Sequence, residues 1–465
     1  MRRRFILVGL FALLFGLGWW AGRGGASNDL YSRIDTFVEI LHKVEESYVE
    51  PVEPERLIGG AVHGMLRDLD PFAEYVVTQG PAATGPAPHG DADPGLALGV
   101  RDNAWVVIAP VSGGPADRAG VRAEDVLLQV DGRSTGGWSS TELASRLRGP
   151  KGSRVRLSLL RAGDDAPRDI VVTRAALARD PAVLAAARPS GELIEKGVGC
   201  IRLVTIGDST AAEVAALMRH LREQGATRLA LDLRGATSGT PHQALAIAQL
   251  FLPHGTTVAI THGRGREADH KLIAGGASPT LDWPLTVLID GTCAGASEVI
   301  AGALQDQDRA LLIGRRTFGL ASEQSDFPLE GGHATIRITT SIELTPSGRP
   351  IQKLVQTEGD DEEDSSDSDS TSTDREPARA FATHAGRKIL GGGGIRPDLE
   401  VPPATSTVAT AVASAPVTKS STDPVLRRAV TVLLRAHAPR DVFAALPRAR
   451  SSTEDMAALA EGRRH

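Results

Sequence analysis

Hydrolytic chemistry at a carbonyl needs a nucleophile and a group that takes its proton, and few residues of this chain supply either. The small-residue run Gly291-Thr292-Cys293-Ala294-Gly295-Ala296-Ser297-Glu298 offers one thiol and one serine hydroxyl. Ser297 reads as a helix cap with Glu298 in the first turn, where the dipole favours an acid. Cys293 reads as a small buried residue, because a reactive thiolate requires a base or a cationic neighbour. Lysine is scarce, and none of Lys43, Lys151, Lys196, Lys271, Lys353, Lys388 and Lys419 falls in this run or in the later segment Thr317–Gln324. His242 and His262 are the histidines that can approach Cys293, although a surface histidine is the commoner case. The 12 histidines show no H-E-x-x-H spacing, and Cys200 with Cys293 makes neither a disulfide framework nor a zinc ribbon. No metal or cofactor is expected. Whether the two cysteines bridge is not readable from sequence.

These residues must be positioned by more than one domain, since 465 residues allow two or three. Aromatics are 4% of the chain, so the cores must be built from Ala, Val, Leu and Ile. Arg2, Arg3 and Arg4 precede an apolar stretch from Phe5 to Gly22, which reads as a signal peptide or, preferably, an uncleaved membrane anchor with the bulk of the chain exported. Helical spacing of Ile34, Phe37, Ile40, Leu41 and Val44 predicts a small helical unit, broken at Pro51 and Pro54. Short alternating segments follow at Ala104–Ala109, Asp125–Val130 and Arg154–Leu160, with one helix near Ser140–Leu147, describing a β module.

From Gly197 the pattern becomes strand, helix, strand, helix: strands at Val198–Val204, Arg228–Leu233 and Leu285–Ile289, helices at Ala211–Gln224, His242–Phe251 and Ser297–Leu304. That alternation implies parallel pairing. The run Asp360–Asp374 contains only Asp, Glu, Ser and Thr and is expected to be a disordered surface insert. The expected class is α+β multidomain, with a partly parallel sheet in the last large domain. Its boundaries are 1–27 for the signal or anchor, 28–78 for the helical unit, 79–94 for a linker and 95–176 for the β module. The α/β domain spans 177–402 with an insert at 355–380, and 403–465 is a linker and C-terminal helical segment. No basic block remains after the N-terminal arginines, against a net charge of −6, so nucleic-acid binding is not expected.

Taken together and in order, the residues resemble the C-terminal processing peptidases, or tail-specific proteases, over about residues 30–402. Tyr48-Val49-Glu50-Pro51-Val52 and Gly64-Met65-Leu66-Arg67-Asp68-Leu69-Asp70-Pro71 are similar to the first motifs of that family. Gly114-Pro115-Ala116-Asp117-Arg118-Ala119-Gly120-Val121 and Val130-Asp131-Gly132 resemble parts of its PDZ domain. Leu344-Thr345-Pro346-Ser347-Gly348-Arg349 and Gly394-Ile395-Arg396-Pro397-Asp398 match its closing motifs. Within the PDZ resemblance, Gly95-Leu96-Ala97-Leu98 stands where a substrate's C-terminal carboxylate is received on backbone amides. Such capture needs unpaired N–H groups at a glycine turn beside a strand edge.

The resemblance implies a serine nucleophile and a neutral lysine base 25 positions later, with a glutamine four beyond the lysine. Here those positions hold Gly295, Leu320 and Gln324. The interval is intact, yet glycine has no nucleophile and leucine accepts no proton. The oxyanion region, taken as Ser238, Gly239 and Ala296, departs as well: Ala236-Thr237-Ser238-Gly239 stands where the family has Asn-Pro-Gly-Gly. The expectation is a catalytically inactive, exported member of the family that binds protein C-termini or a partner through its PDZ domain. One alternative is an endopeptidase with a relocated nucleophile, Cys293 or Ser297. Another is an adaptor whose old protease domain serves as an assembly surface, and a homo-oligomer is left open.

Overall fold

The computed structural model describes residues 26–77, 90–177, 183–184, 187–264, 269–276, 282–329, 334–352, 380–402 and 423–446. The basic and apolar N-terminal segment, the linker up to residue 89, the acidic run and the Ser/Thr/Ala-rich stretch after Thr405 lie outside them. Among the described residues no helix is long and apolar enough to cross a membrane.

Helix α1 (Ala26–Ser47) is followed by α2 (Pro54–Arg67), with Pro54 in the first turn, where a missing N–H costs nothing. The predicted apolar stripe is present but scarcely covered, since Ile34, Phe37 and Ile40 are all exposed. The unit does not remain helical to its end. Residues Glu74–Val77 form strand β1.

The β module consists of β2 (Leu96–Arg101), β3 (Ala104–Pro110), the single turn α3 (Pro115–Arg118), β4 (Val126–Val130), β5 (Arg133–Ser134), α4 (Ser140–Leu147), β6 (Arg154–Leu160) and β7 (Arg168–Thr173). Its antiparallel sheet has the order β2-β3-β4-β6-β7, with β5 on β4. Alternation explains the core: Val155, Leu157 and Leu159 are buried while the alternating Arg154 and Arg156 are exposed. Ser139 caps α4 by accepting the Glu142 amide at 3.1 Å. Ala92 and Asp93 bridge to Gly149 and Ala175, so the module begins a few residues before Gly95, inside the expected linker.

The larger domain contains β8 (Ser190–Glu195), β9 (Val198–Arg202), α5 (Thr210–Glu223), β10 (Arg228–Asp232), α6 (Pro241–Ala248), β11 (Thr257–Gly263), β12 (His270–Ile273), β13 (Leu285–Ile289), α7 (Ala296–Asp306) and β14 (Leu311–Gly314). It continues with β15 (Ser322–Pro328), β16 (Ala334–Leu344), β17 (Ala380–Ala382), β18 (Lys388–Leu390), β19 (Leu399–Glu400), α8 (Pro424–Arg435) and a 3-10 turn at Pro439–Ala445. Its main sheet has the order β19-β14-β13-β10-β9-β8, parallel except for β8. The inner strands are buried almost along their whole length, which is why they read as mainly apolar runs without alternation. Helices α5, α6 and α7 cover one face. Helix α8 covers the other with Leu426, Ala429, Val432 and Leu433, so the C-terminal segment is part of this core. Buried Arg234 fastens it, bonding Asp232 and the α8 cap Asp423, each at 2.7 Å.

A second, antiparallel sheet of order β1-β16-β11-β12, with β15 on β16, stands beside the first. Pairing of β1 with β16 carries Glu74 to the start of α4. There its carboxylate accepts the Thr141 amide at 2.7 Å and the hydroxyls of Ser140 and Thr141. An acid of the N-terminal unit, joined to the larger domain's second sheet through β1, thus supplements the cap of a helix in the β module.

Candidate functional site

The C-terminal end of β13, a central parallel strand, leads through a tight turn into α7, the usual place for chemistry in an open parallel sheet. Asp290 accepts the Thr292 amide at 2.9 Å, and the Thr292 hydroxyl accepts the Gly235 amide at 2.6 Å. Gly295 is the N-cap residue of α7, with φ 65° and ψ −124°. That conformation favours glycine. A side chain here would enter open space, its nearest neighbours being the carbonyl oxygens of Gly239 at 3.8 Å and Leu320 at 4.0 Å. Gly295 and Leu320 are therefore neighbours in space, and the Gly295 amide donates to the Leu320 carbonyl at 2.9 Å.

Ser297 is not the cap expected from sequence, because Gly295 occupies that place. Its buried hydroxyl faces the carbonyl oxygens of Ala236 at 2.8 Å and Ala294 at 3.0 Å. With its proton committed to carbonyls and no base in contact, it is not poised to attack. Cys293 is fully buried, its thiol donating to the Leu233 carbonyl at 3.2 Å. Burial pushes its pKa well up, which keeps it a thiol. His262 is exposed and bonded to Asp269 at 2.7 Å, His242 is exposed on α6, and neither contacts the thiol. Cys200 is also buried, and both cysteines are free.

In the predicted oxyanion region, the Ser238 hydroxyl accepts the Ile206 amide at 3.2 Å. Gly239 has φ 106°, and a Cβ there would meet the Ala296 methyl at 2.8 Å. Gly239 and Ala296 thus lie against each other at the start of α7, with the Gly239 carbonyl turned toward Gly295. Gln324 does not reach this turn: it is exposed on β15, where it donates to the Ser322 hydroxyl at 3.1 Å.

The residue that organises the site is Glu298. Its fully buried carboxylate accepts the amides of Gly319 at 2.7 Å, Leu320 at 2.8 Å and Gly295 at 3.3 Å, with the Thr317 hydroxyl in addition. Burial outweighs these donors and raises its pKa to about 7. Its place after Ser297 signalled only a first-turn acid.

The β module closes over the same place. Leu96, Leu98 and Val100 of β2 pack inward, whereas Ala97 turns outward with Val106 and Ile108 onto Ala294 and Phe318, with Leu320 beside them. Phe318 lies on Gly99: a Cβ at position 99 would be 2.6 Å from its ring. Arg101 stands over the same ring, 4.6 Å from its centroid. Gly95 adopts φ 80° but donates its amide to Asp93 at 2.7 Å, so it is not one of the unpaired N–H groups expected at this turn, and β2 pairs only with β3 among the described residues. The quartet Gly95-Leu96-Ala97-Leu98 thus runs along an edge strand whose outer face touches the segment carrying Leu320. Neither Gly99 nor Phe318 was identifiable from spacing, because their partnership joins two domains.

Comparison with known proteins agrees with this architecture. The profile described as Peptidase family S41 matches residues 197–360, and a PDZ domain profile matches residues 106–161. A carboxy-terminal-processing protease of Bartonella bacilliformis is 32% identical over 329 residues, covering 70% of this chain and 74% of the relative. A carboxyl-terminal-processing protease of Synechocystis sp. is 39% identical over 254 residues, or 54% of this chain and 57% of that one. Among solved structures, a photosystem II D1 C-terminal processing protease superposes with a TM-score of 0.59 at 24% identity, covering 87% of this chain and 97% of that chain.

Proposed function

Since the chain belongs to the carboxy-terminal-processing proteases of peptidase family S41, with a PDZ domain, we propose that it is a member that binds polypeptide without hydrolysing it. Its PDZ domain takes protein C-termini along the edge of β2, and the turn at α7 is a cleft emptied of its chemistry. The observation that carries this reading is the pairing of Gly295 with Leu320. The two positions implied for nucleophile and base are in contact through a hydrogen bond of 2.9 Å, yet one has no side chain and the other is aliphatic. Each loss alone lowers turnover by orders of magnitude. The relocated-nucleophile alternative draws no support from Cys293, a buried thiol of raised pKa, or from Ser297, whose hydroxyl faces two carbonyls. The proposal includes export and membrane attachment, motivated by the basic residues Arg2–Arg4 and the apolar stretch after them.

The test compares the full chain with the double variant Gly295→Ser/Leu320→Lys on unstructured polypeptides with apolar C-termini, reading binding and cleavage together. Wild type is expected to bind without cutting, and the double variant to cut. Cleavage by wild type that disappears in Cys293→Ala or Ser297→Ala overturns the reading.

A further inference from the structure

Three arginines from distant parts of the chain converge beside Phe318. Arg101 at the end of β2 lies over the ring at 4.6 Å. Arg316 stands just before Thr317, and Arg396 just after Ile395. The two segments run together, the Thr317 amide donating to the Ile395 carbonyl at 3.0 Å and the Ile395 amide donating back to the Thr317 hydroxyl at 2.6 Å. Arg316 and Arg396 are exposed and Arg101 is half-buried.

Among the described residues none of the three forms an ion pair with a carboxylate. Arg316 spends one N–H on the Gly392 carbonyl, and Arg101 has the ring. The neighbouring acids are engaged elsewhere or simply apart. Asp398 is bonded to Arg387, Gln305 and the Leu312 amide, while Glu124, packed against Gly291, and Asp102 pair with none of the three. Partial desolvation first, and then the charges of Arg396 and Arg101, lower the pKa of Arg316 against the opposing charge of Glu298, which places the three guanidinium groups within each other's field. Several other arginines of this fold are engaged by acids, among them Arg161, Arg234, Arg337, Arg349 and Arg387. A convergent set left with its carboxylate capacity unspent, beside a peptide-binding edge, is a recognition surface.

We propose that Arg101, Arg316 and Arg396 bind an acidic segment of a polypeptide, through its Asp and Glu side chains, as the chain passes from the edge of β2 toward Gly295. This deepens the peptide-binding reading above and rests on it. The site selects among polypeptides that the PDZ domain accepts for their C-termini, preferring those with carboxylates upstream of the terminus.

The test measures affinity of the full chain for two short peptides with the same apolar C-terminus, one rich in Asp and Glu upstream and one carrying Asn and Gln instead. Each is also offered with an amidated C-terminus, which separates side-chain carboxylates from the terminal one. Wild type is expected to prefer the acidic peptide in both forms, and to lose the preference as ionic strength rises toward about 1 M, where the Debye length is about 3 Å. Arg101→Gln/Arg316→Gln/Arg396→Gln is expected to weaken binding of the acidic peptide roughly tenfold or more, each charged contact being worth up to about fivefold, with binding of the neutral peptide unchanged. The corresponding triple Lys variant, which keeps the charge, is expected to retain most of the preference. Equal binding of the acidic peptide by wild type and the Gln variant overturns the proposal. So does binding of both peptides by wild type without preference, which leaves the peptide-binding reading standing. Binding of neither peptide overturns both.

Discussion

The Glu298 carboxylate accepts the Leu320 amide at 2.8 Å and the Gly295 amide at 3.3 Å. A single buried acid thus holds together the turn before α7 and the loop implied to carry the base. The frame of this turn does not depend on the side chains at positions 295 and 320, because it is built from backbone amides and one carboxylate.

Stability should depend on pH through that acid. Burial raises Glu298 from an ordinary 4.5 to about 7, and Glu343, buried beside Thr261, is likewise raised to about 7 by burial. A raised carboxyl pKa favours the folded state most below the unfolded value, and the contribution is lost as pH rises through the folded value. The unfolding free energy from denaturant titration should therefore fall between about pH 4.5 and 7, by a few kcal/mol per group at most. Glu298→Gln should flatten part of that fall and leave the share due to Glu343. An unchanged pH profile in the variant would show that the Glu298 pKa does not differ between the folded and unfolded states.

Gly295→Ala tests backbone conformation apart from space. Since the Cβ direction is open, the expected cost is that of φ near 65°, about 1–2 kcal/mol. Equilibrium unfolding that shows no loss would mean that the turn relaxes to negative φ.

Gly99→Val tests the opposite condition, space without strain. The new side chain would overlap the Phe318 ring, with an expected loss of about 1–3 kcal/mol. Phe318→Ala should recover much of it in the double variant, a coupling that additive behaviour would exclude.

Arg234→Ala leaves Asp232 and Asp423 buried without their shared cation. Loss of about 3–5 kcal/mol is expected from breaking such a group. A shift within experimental error in chemical denaturation would mean that water replaces the guanidinium.

Both thiols should resist alkylation in the folded protein and react after denaturation, since Cys200 and Cys293 are fully buried and burial raises both pKa values. Rapid labelling of Cys293 in native protein would contradict the packing described.

What was legible in the sequence follows from periodicity. The parallel strands were visible because burial on both faces makes Val198–Arg202 and Leu285–Ile289 mainly apolar, without alternation, and α4 lies where it was expected. The second sheet went unread. Its strand β15 is mostly polar and exposed, and β16 carries a β-branched strand signal in Thr335-Ile336-Arg337-Ile338-Thr339-Thr340 without clean alternation. Ser297 was misassigned as a cap by residue type, because a glycine at positive φ took that place two residues earlier. The positions Gly295 and Leu320 were legible from spacing, whereas Glu298 as the link between them, and Phe318 against Gly99, depend on contacts that no local pattern encodes.

Helix α8 has a consequence for how the molecule is made. Arg234 and the apolar underside of β10, β13 and β14 emerge from the ribosome long before the segment that begins at Asp423. Until then the buried cation lacks its second acid and the sheet has one bare face. The domain is completed only by a helix synthesised after the sheet it covers, so a chain stopped short of residue 423 would present a sticky, half-finished sheet to chaperones and proteases.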